Sequence, residues 1–148
     1  MRILIVNGPN LNLLGTREPE IYGKMTYESL NEELQAYAKK NKLSLEIRQS
    51  NLEGIIIDLL HYAAFEKFDG VCLNAAAYTH YAYAIYDAIK AIDVPVVEVH
   101  LTDPARRPEP FRKVSVIEDA CVATFKGEGI TSYKKAIAYL CGVENHDH

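Results

Sequence analysis

The chain has 148 residues, 49% of them hydrophobic and 24% charged, the size and balance of one domain around one continuous core. Lys plus Arg number 16 against 20 Asp plus Glu, a formal charge of −4, which argues against the basic face of a nucleic-acid binder and leaves room for a local cationic site that takes a small anion. No apolar run approaches the ~20 residues of a membrane span, and Met1 leads into a strand-like segment without a signal-peptide layout, so a cytoplasmic protein with no membrane partner is expected.

Short apolar runs rich in β-branched residues alternate with longer amphipathic segments, the pattern of βα units around a parallel sheet. Strands are predicted over residues 3–6, 43–47, 71–73, 95–99 and 120–125, and helices over 26–40, 52–65, 80–92 and 130–140. In the first helix Leu30, Leu34, Tyr37 and Ala38 recur on one face, while Lys39, Lys40 and Lys42 fall where the helix dipole favours cations. Cys72, Cys121 and Cys141 are odd in number and lack CxxC spacing, which favours buried reduced thiols over disulfides or zinc ligands. The element order fits an α/β, flavodoxin-like doubly wound sheet of five parallel strands in the order 2-1-3-4-5, with helices on both faces. One domain spans residues 1–148, with 143–148 expected as a flexible tail.

Such sheets bind ligands at the carboxyl ends of their strands. After the first strand comes Asn7-Gly8-Pro9-Asn10-Leu11-Asn12-Leu13-Leu14-Gly15-Thr16-Arg17-Glu18-Pro19-Glu20-Ile21-Tyr22-Gly23. At about 18 residues before the next helix it far exceeds the usual βα loop and has the length of a functional lid. It is neither GxGxxG nor a Walker sequence, and Asn7 and Asn74 stand where a magnesium-binding receiver would carry acids. The third strand runs into Asn74-Ala75-Ala76-Ala77-Tyr78-Thr79-His80, in which Asn74 reads equally as a turn former and His80 as a first-turn helical residue.

The fourth strand ends in Glu98-Val99-His100-Leu101-Thr102. Alternation puts Glu98 and His100 on one face, where a carboxylate fixes the imidazole tautomer and raises the basicity of its free nitrogen, as a general acid or base requires. Beyond it Arg106, Arg107 and Arg112 form the densest arginine cluster in the chain, suited to bidentate capture of a carboxylate. No GxSxG elbow is present and no lysine falls within the predicted strands, which leaves acid/base chemistry by Tyr and His. Taken alone, the residues also fit a metal enzyme using His80, His100 and Glu98, or a binding module whose long loop meets a partner.

Gly8 to Gly15 with Arg17-Glu18-Pro19 and Tyr22-Gly23, then Arg48-Gln49-Ser50-Asn51, Asn74 to His80, Glu98-Val99-His100 and Glu109-Pro110-Phe111-Arg112 closely resemble the type II 3-dehydroquinate dehydratases, motif after motif from about residue 2 to residue 140. The resemblance implies a single catalytic domain that dehydrates 3-dehydroquinate to 3-dehydroshikimate in the shikimate pathway, by anti elimination through an enolate and without metal or organic cofactor. By that likeness Tyr22 is the base, Arg17 its cationic neighbour on a mobile lid, His100 the acid and Glu98 its orienting partner. Asn10 is similar to the residue that stabilises the enolate oxygen. Asn74, His80, Arg112 and the backbone amides of Leu101 and Thr102 match substrate-holding positions, with Thr102 standing where serine is usual. Asp87 matches a position that reaches a neighbouring subunit's site, and the family's assembly is a homododecamer, a tetramer of trimers. Tyr81, Tyr83 and Tyr86 around one helix fit such an interface.

Overall fold

The central apolar runs are buried on both faces, so the strands they form pair side by side with helices above and below, while the edge strands keep polar, half-exposed positions. The computed structural model of the chain describes residues 1–16 and 25–142. Strands β1 (Arg2–Asn7), β2 (Ser44–Gln49), β3 (Gly70–Asn74), β4 (Val96–His100) and β5 (Ala123–Lys126) form one parallel sheet in the order β2-β1-β3-β4-β5. The expected doubly wound α/β architecture is therefore observed. Helices α1 (Tyr27–Lys40) and α4 (Ile130–Leu140) cover one face, and α2 (Glu53–Phe65) and α3 (Tyr83–Ala91) cover the other.

Alternation along the strands divides the core. Ile3, Ile5, Cys72, Val97 and Val99 pack toward Leu30, Leu34, Tyr133 and Ile137. Leu4, Val6, Val71, Leu73 and Val96 pack toward Ile56, Leu60, Ile85 and Ile89. Leu30, Leu34 and Ala38 are the buried stripe of α1, as their spacing predicts. Thr26 opens that helix with a reciprocal cap: its hydroxyl accepts the Ser29 N–H at 3.0 Å, and the Ser29 hydroxyl accepts the Thr26 N–H at 3.0 Å.

Helices α1 and α2 both end in a left-handed residue, Lys42 at φ 59° and Lys67 at φ 58°. The N–H groups of Leu43 and Phe68 reach back to the carbonyls of Ala38 and Ala63 at 2.8 and 2.9 Å, and the following apolar side chain tucks under each helix. These closures lie at the amino-terminal edge of the sheet, away from the strand ends that carry the sequence motifs.

Two elements differ from the sequence expectation. The helix predicted from His80 begins only at Tyr83, because Ala76 takes φ 52° and Ala76–His80 winds as a separate 3₁₀ turn. His80 thus closes a turn instead of opening a helix. The last strand starts at Ala123 instead of residue 120, since Glu118–Ala120 forms another 3₁₀ turn, and it ends on the exposed Lys126. The lysine-free strand expected there therefore carries one lysine at its carboxyl end.

Cys72 is buried and Cys121 and Cys141 are half-buried, all three without a disulfide. Burial pushes each thiol up, Cys121 to about 12. No helix among the described residues is long and apolar enough to cross a membrane. The expected tail at 143–148 and residues 17–24, which include Arg17 and Tyr22, lie outside the described residues.

Gly8 marks the closest approach of two strand ends. Its N–H donates to the Asn74 carbonyl at 2.7 Å, and an added Cβ would sit 2.7 Å from the carbonyl oxygen of Ala75. Gly8→Ala must push the segments after β1 and β3 apart. The expected cost is about 1–3 kcal/mol, read in chemical denaturation as a lower midpoint at unchanged slope.

Candidate active site

Asn7 and Asn74 stand in register at the carboxyl ends of β1 and β3, 0% and 4% exposed. Buried amides need partners. The fully buried Tyr133 of α4 supplies them: its hydroxyl donates to Asn7 Oδ1 at 2.7 Å and accepts from Asn74 Nδ2 at 2.9 Å. Burial pushes this phenol far up, so it remains a neutral donor. The Asn74 Oδ1 accepts the Ala76 N–H at 3.1 Å. One amide N–H and one oxygen lone pair of Asn74 are left for a ligand.

Glu98 and His100 share a face near the end of β4, as the alternation predicts. His100 Nε2 lies 2.6 Å from Glu98 Oε2, and both residues are buried. An ionised carboxylate only accepts, so Nε2 carries the hydrogen and Nδ1 is the nitrogen left for the cleft. Burial pushes the Glu98 carboxyl up, but the hydrogen bond and charge of His100, with the hydroxyls of Ser115 and Thr124, outweigh it and hold the group below the usual carboxylate range.

His80 is fixed differently. Its Nδ1 donates to the Val114 carbonyl at 2.6 Å, leaving Nε2 as an acceptor. Burial lowers the imidazole below its ordinary value, against the opposing pull of the Val114 carbonyl, so the ring is neutral near pH 7. His80 stacks edge-on against Phe111 at 5.6 Å, and the Arg112 guanidinium lies 4.8 Å from the same ring. Arg112 Nε is 3.0 and 3.1 Å from the two carboxylate oxygens of Glu109. This bond steers the side chain through Nε and leaves the two terminal nitrogens for an anion.

These side chains converge. Asn74, His80, His100, Leu101, Thr102, Arg107 and Arg112 line one narrow cleft at the carboxyl ends of the strands. The Leu101 carbonyl, held by the Gly129 N–H at 2.8 Å, fixes the turn that brings Thr102 to the rim. A second polar cavity adjoins it, sharing His80, His100 and Arg112 and reaching Glu98, Ser115 and Thr124.

Asn10 sits beside the first cleft, between Pro9 and Leu11, which line it. It is left-handed at φ 71°, and its N–H donates to Asn51 Oδ1 at 3.0 Å. Gln49 Nε2 donates to the same Asn51 oxygen and to the Gly8 carbonyl, and the Tyr78 hydroxyl donates to the Asn51 carbonyl at 2.7 Å. The motif after β2 therefore clasps the segments after β1 and β3. Asp87 is exposed on α3 and is not brought into the cleft, and Arg106 is exposed in its own 3₁₀ turn.

Sequence reasoning did not single out Ser115, Thr124 or Tyr133, and it gave Glu109 no role beside Arg112. Thr124 could have been found from strand register, because it pairs with Glu98 across β4 and β5. Ser115 and Tyr133 act across 17 and 59 residues and leave no local pattern. Among the described residues no three His, Cys, Asp or Glu side chains are grouped to hold a metal.

A family profile described as dehydroquinase class II matches residues 1–141. The chain is 52% identical over 139 residues to the 3-dehydroquinate dehydratase of Caldicellulosiruptor saccharolyticus and 49% identical to that of Caldicellulosiruptor bescii, in each case covering 94% of this chain and 95% of the relative. Its fold matches the crystal structure of the type II dehydroquinase from Butyrivibrio crossotus with a TM-score of 0.93 at 44% identity, over 95% of this chain and 97% of the other.

The two titrating groups set an acid limit. Both His80 and Glu98 have folded values below their unfolded ones, so the unfolded chain binds more protons as pH falls and stability declines with it. The His80 share fades below about pH 6.5 and the Glu98 share below about pH 4.3. NMR titration of the His80 ring should give a midpoint under 6.5, and denaturation at pH 7, 5.5 and 4 should show successive losses.

Proposed function

The chain belongs to the dehydroquinase class II family, and from that membership we propose how this hydro-lyase of the shikimate pathway dehydrates 3-dehydroquinate to 3-dehydroshikimate. The reaction is an anti elimination through an enolate. Tyr22 removes the proton beside the ketone, and the ring collects the charge as an enolate. The hydroxyl on the opposite face then departs with the proton of His100 Nδ1, giving water and the conjugated product. A phenol with a reference pKa of ~10 needs help to act as a base, and the guanidinium of Arg17 supplies it by favouring the phenolate.

Asn10 assists the enolate oxygen through a bridging water. The neutral Nε2 of His80 accepts from a substrate hydroxyl, and the remaining amide hydrogen and lone pair of Asn74 serve a second. Arg112 takes the carboxylate with its terminal nitrogens, beside the backbone amides of Leu101 and Thr102. By this reading neither metal nor organic cofactor takes part. The observation that carries it is the 2.6 Å contact of His100 with the buried Glu98, on the wall of the cleft that also holds Asn74 and Arg112.

The same reading extends to assembly. Asp87 is exposed on a helix beside Tyr81 and Tyr83, which are 58% and 68% exposed. We place it at the site of a neighbouring copy in a homododecamer built as a tetramer of trimers.

Purified protein mixed with 3-dehydroquinate should produce the ultraviolet band of a conjugated enone, and no band at any pH from 6 to 9 sinks the assignment. Tyr22→Phe should keep substrate binding while kcat falls roughly 10²- to 10⁴-fold. Borohydride added with substrate should leave activity intact, since no imine forms. Activity lost to a chelator and restored by a divalent ion would instead favour metal chemistry.

A further inference from the structure

Glu98 has a side chain that is 2% exposed, yet it is the group that orients the ring of His100. The terminal torsion of a glutamate is broad, so packing alone does not fix the plane of its carboxylate. Hydrogen bonds must do so. His100 Nε2–H reaches Oε2 at 2.6 Å, the Ser115 hydroxyl reaches Oε2 at 3.0 Å and Oε1 at 3.2 Å, and the Thr124 hydroxyl reaches Oε1 at 3.3 Å. Thr124 arrives by strand register on β5. Ser115 belongs to no strand or helix and lies in the connection that follows Arg112. Its hydroxyl supports no element of the sheet, and it spans both oxygens of the carboxylate.

We propose that Ser115, seconded by Thr124, is a positioning residue for proton transfer: its hydroxyl clamps the Glu98 carboxylate in the plane that holds His100 with Nε2–H inward and Nδ1 toward the substrate. The proposal rests on the reading of His100 as the general acid. Ser115 does not line the cleft that holds Asn74, Leu101 and Thr102, and its hydroxyl is engaged with the two oxygens of Glu98, so it acts through Glu98. The clamp has an electrostatic side. A hydroxyl that donates to the carboxylate shares its charge and so moderates its hold on the imidazolium. The other titratable groups around this cavity are His80, Arg112, Lys113, Glu118, Lys126 and Cys121, none of which the substitution alters.

The test is the pH profile of kcat in Ser115→Ala. A general acid gives a limb that falls as pH rises through its ionisation. With one donor removed, Glu98 holds the His100 proton more tightly, so the falling limb moves to higher pH. At the same time kcat at the optimum drops about tenfold, with KM within about twofold of the parent. Ser115→Thr keeps the hydroxyl and restores both kcat and the limb. Thr124→Val, removing the longer bond, shifts the limb in the same direction by less, and it decides the matter should Ser115→Ala fail to fold. An unmoved limb in both variants, or a loss confined to KM and Tm, overturns the proposal. His100→Gln separates this from the parent reading: if that variant keeps the falling limb, His100 is not the acid, whatever Ser115 does.

Discussion

A carboxylate with almost no access to water has to be met by donors on every side, or folding would favour its neutral form. Glu98 satisfies this condition near the end of β4, and much of the site follows from it. Because one ring nitrogen of His100 is committed to that carboxylate, the other is committed to the cleft. Glu98 takes further donors from Ser115 and Thr124, and the connection that carries Ser115 follows Arg112, which lines the same cleft as His100. Removing one partner alone would leave the other buried polar group without its 2.6 Å contact.

The neutral part of the site obeys the same accounting without charge. Asn7, Tyr133 and Asn74 share hydrogens at the ends of the two central strands, and that exchange ties α4 to the sheet exactly where ligands enter doubly wound folds. The Asn51 clasp does the corresponding work at the surface, joining the segments after β1 and β3 through Asn10, Gly8 and Tyr78. Rigid strand ends and hydrogen-bonded turns thus carry the cleft-lining groups and hold their polar atoms to small tolerances.

Much of this was legible in the sequence because it is periodic. The β-branched runs gave the strands, and the alternation of Glu98, Val99 and His100 put imidazole and carboxylate on one face. Residue type pointed to the cationic wall that Arg112 forms in the cleft. What periodicity does not encode is partnership at a distance: Tyr133 meets Asn7 across 126 residues and Ser115 meets Glu98 across 17. The displaced start of α3 has a local cause of another kind. Ala76 in the left-handed region is not a position that propensity would select, and it follows directly on Ala75, whose carbonyl lies close to Gly8. The roles of Arg17 and Tyr22 came from motif likeness alone, since a tyrosine and an arginine in a polar loop carry no pattern of their own.

The helix closures at Lys42 and Lys67 have a bearing on adaptation to heat. A side chain with a Cβ in the left-handed region is strained, and glycine there would relieve about 0.5–1 kcal/mol apiece once its greater freedom in the unfolded chain is subtracted. Both positions lie at the opposite rim from the chemistry. Thermal tolerance in this fold can therefore evolve along one edge while turnover is tuned along the other, with little trade between them.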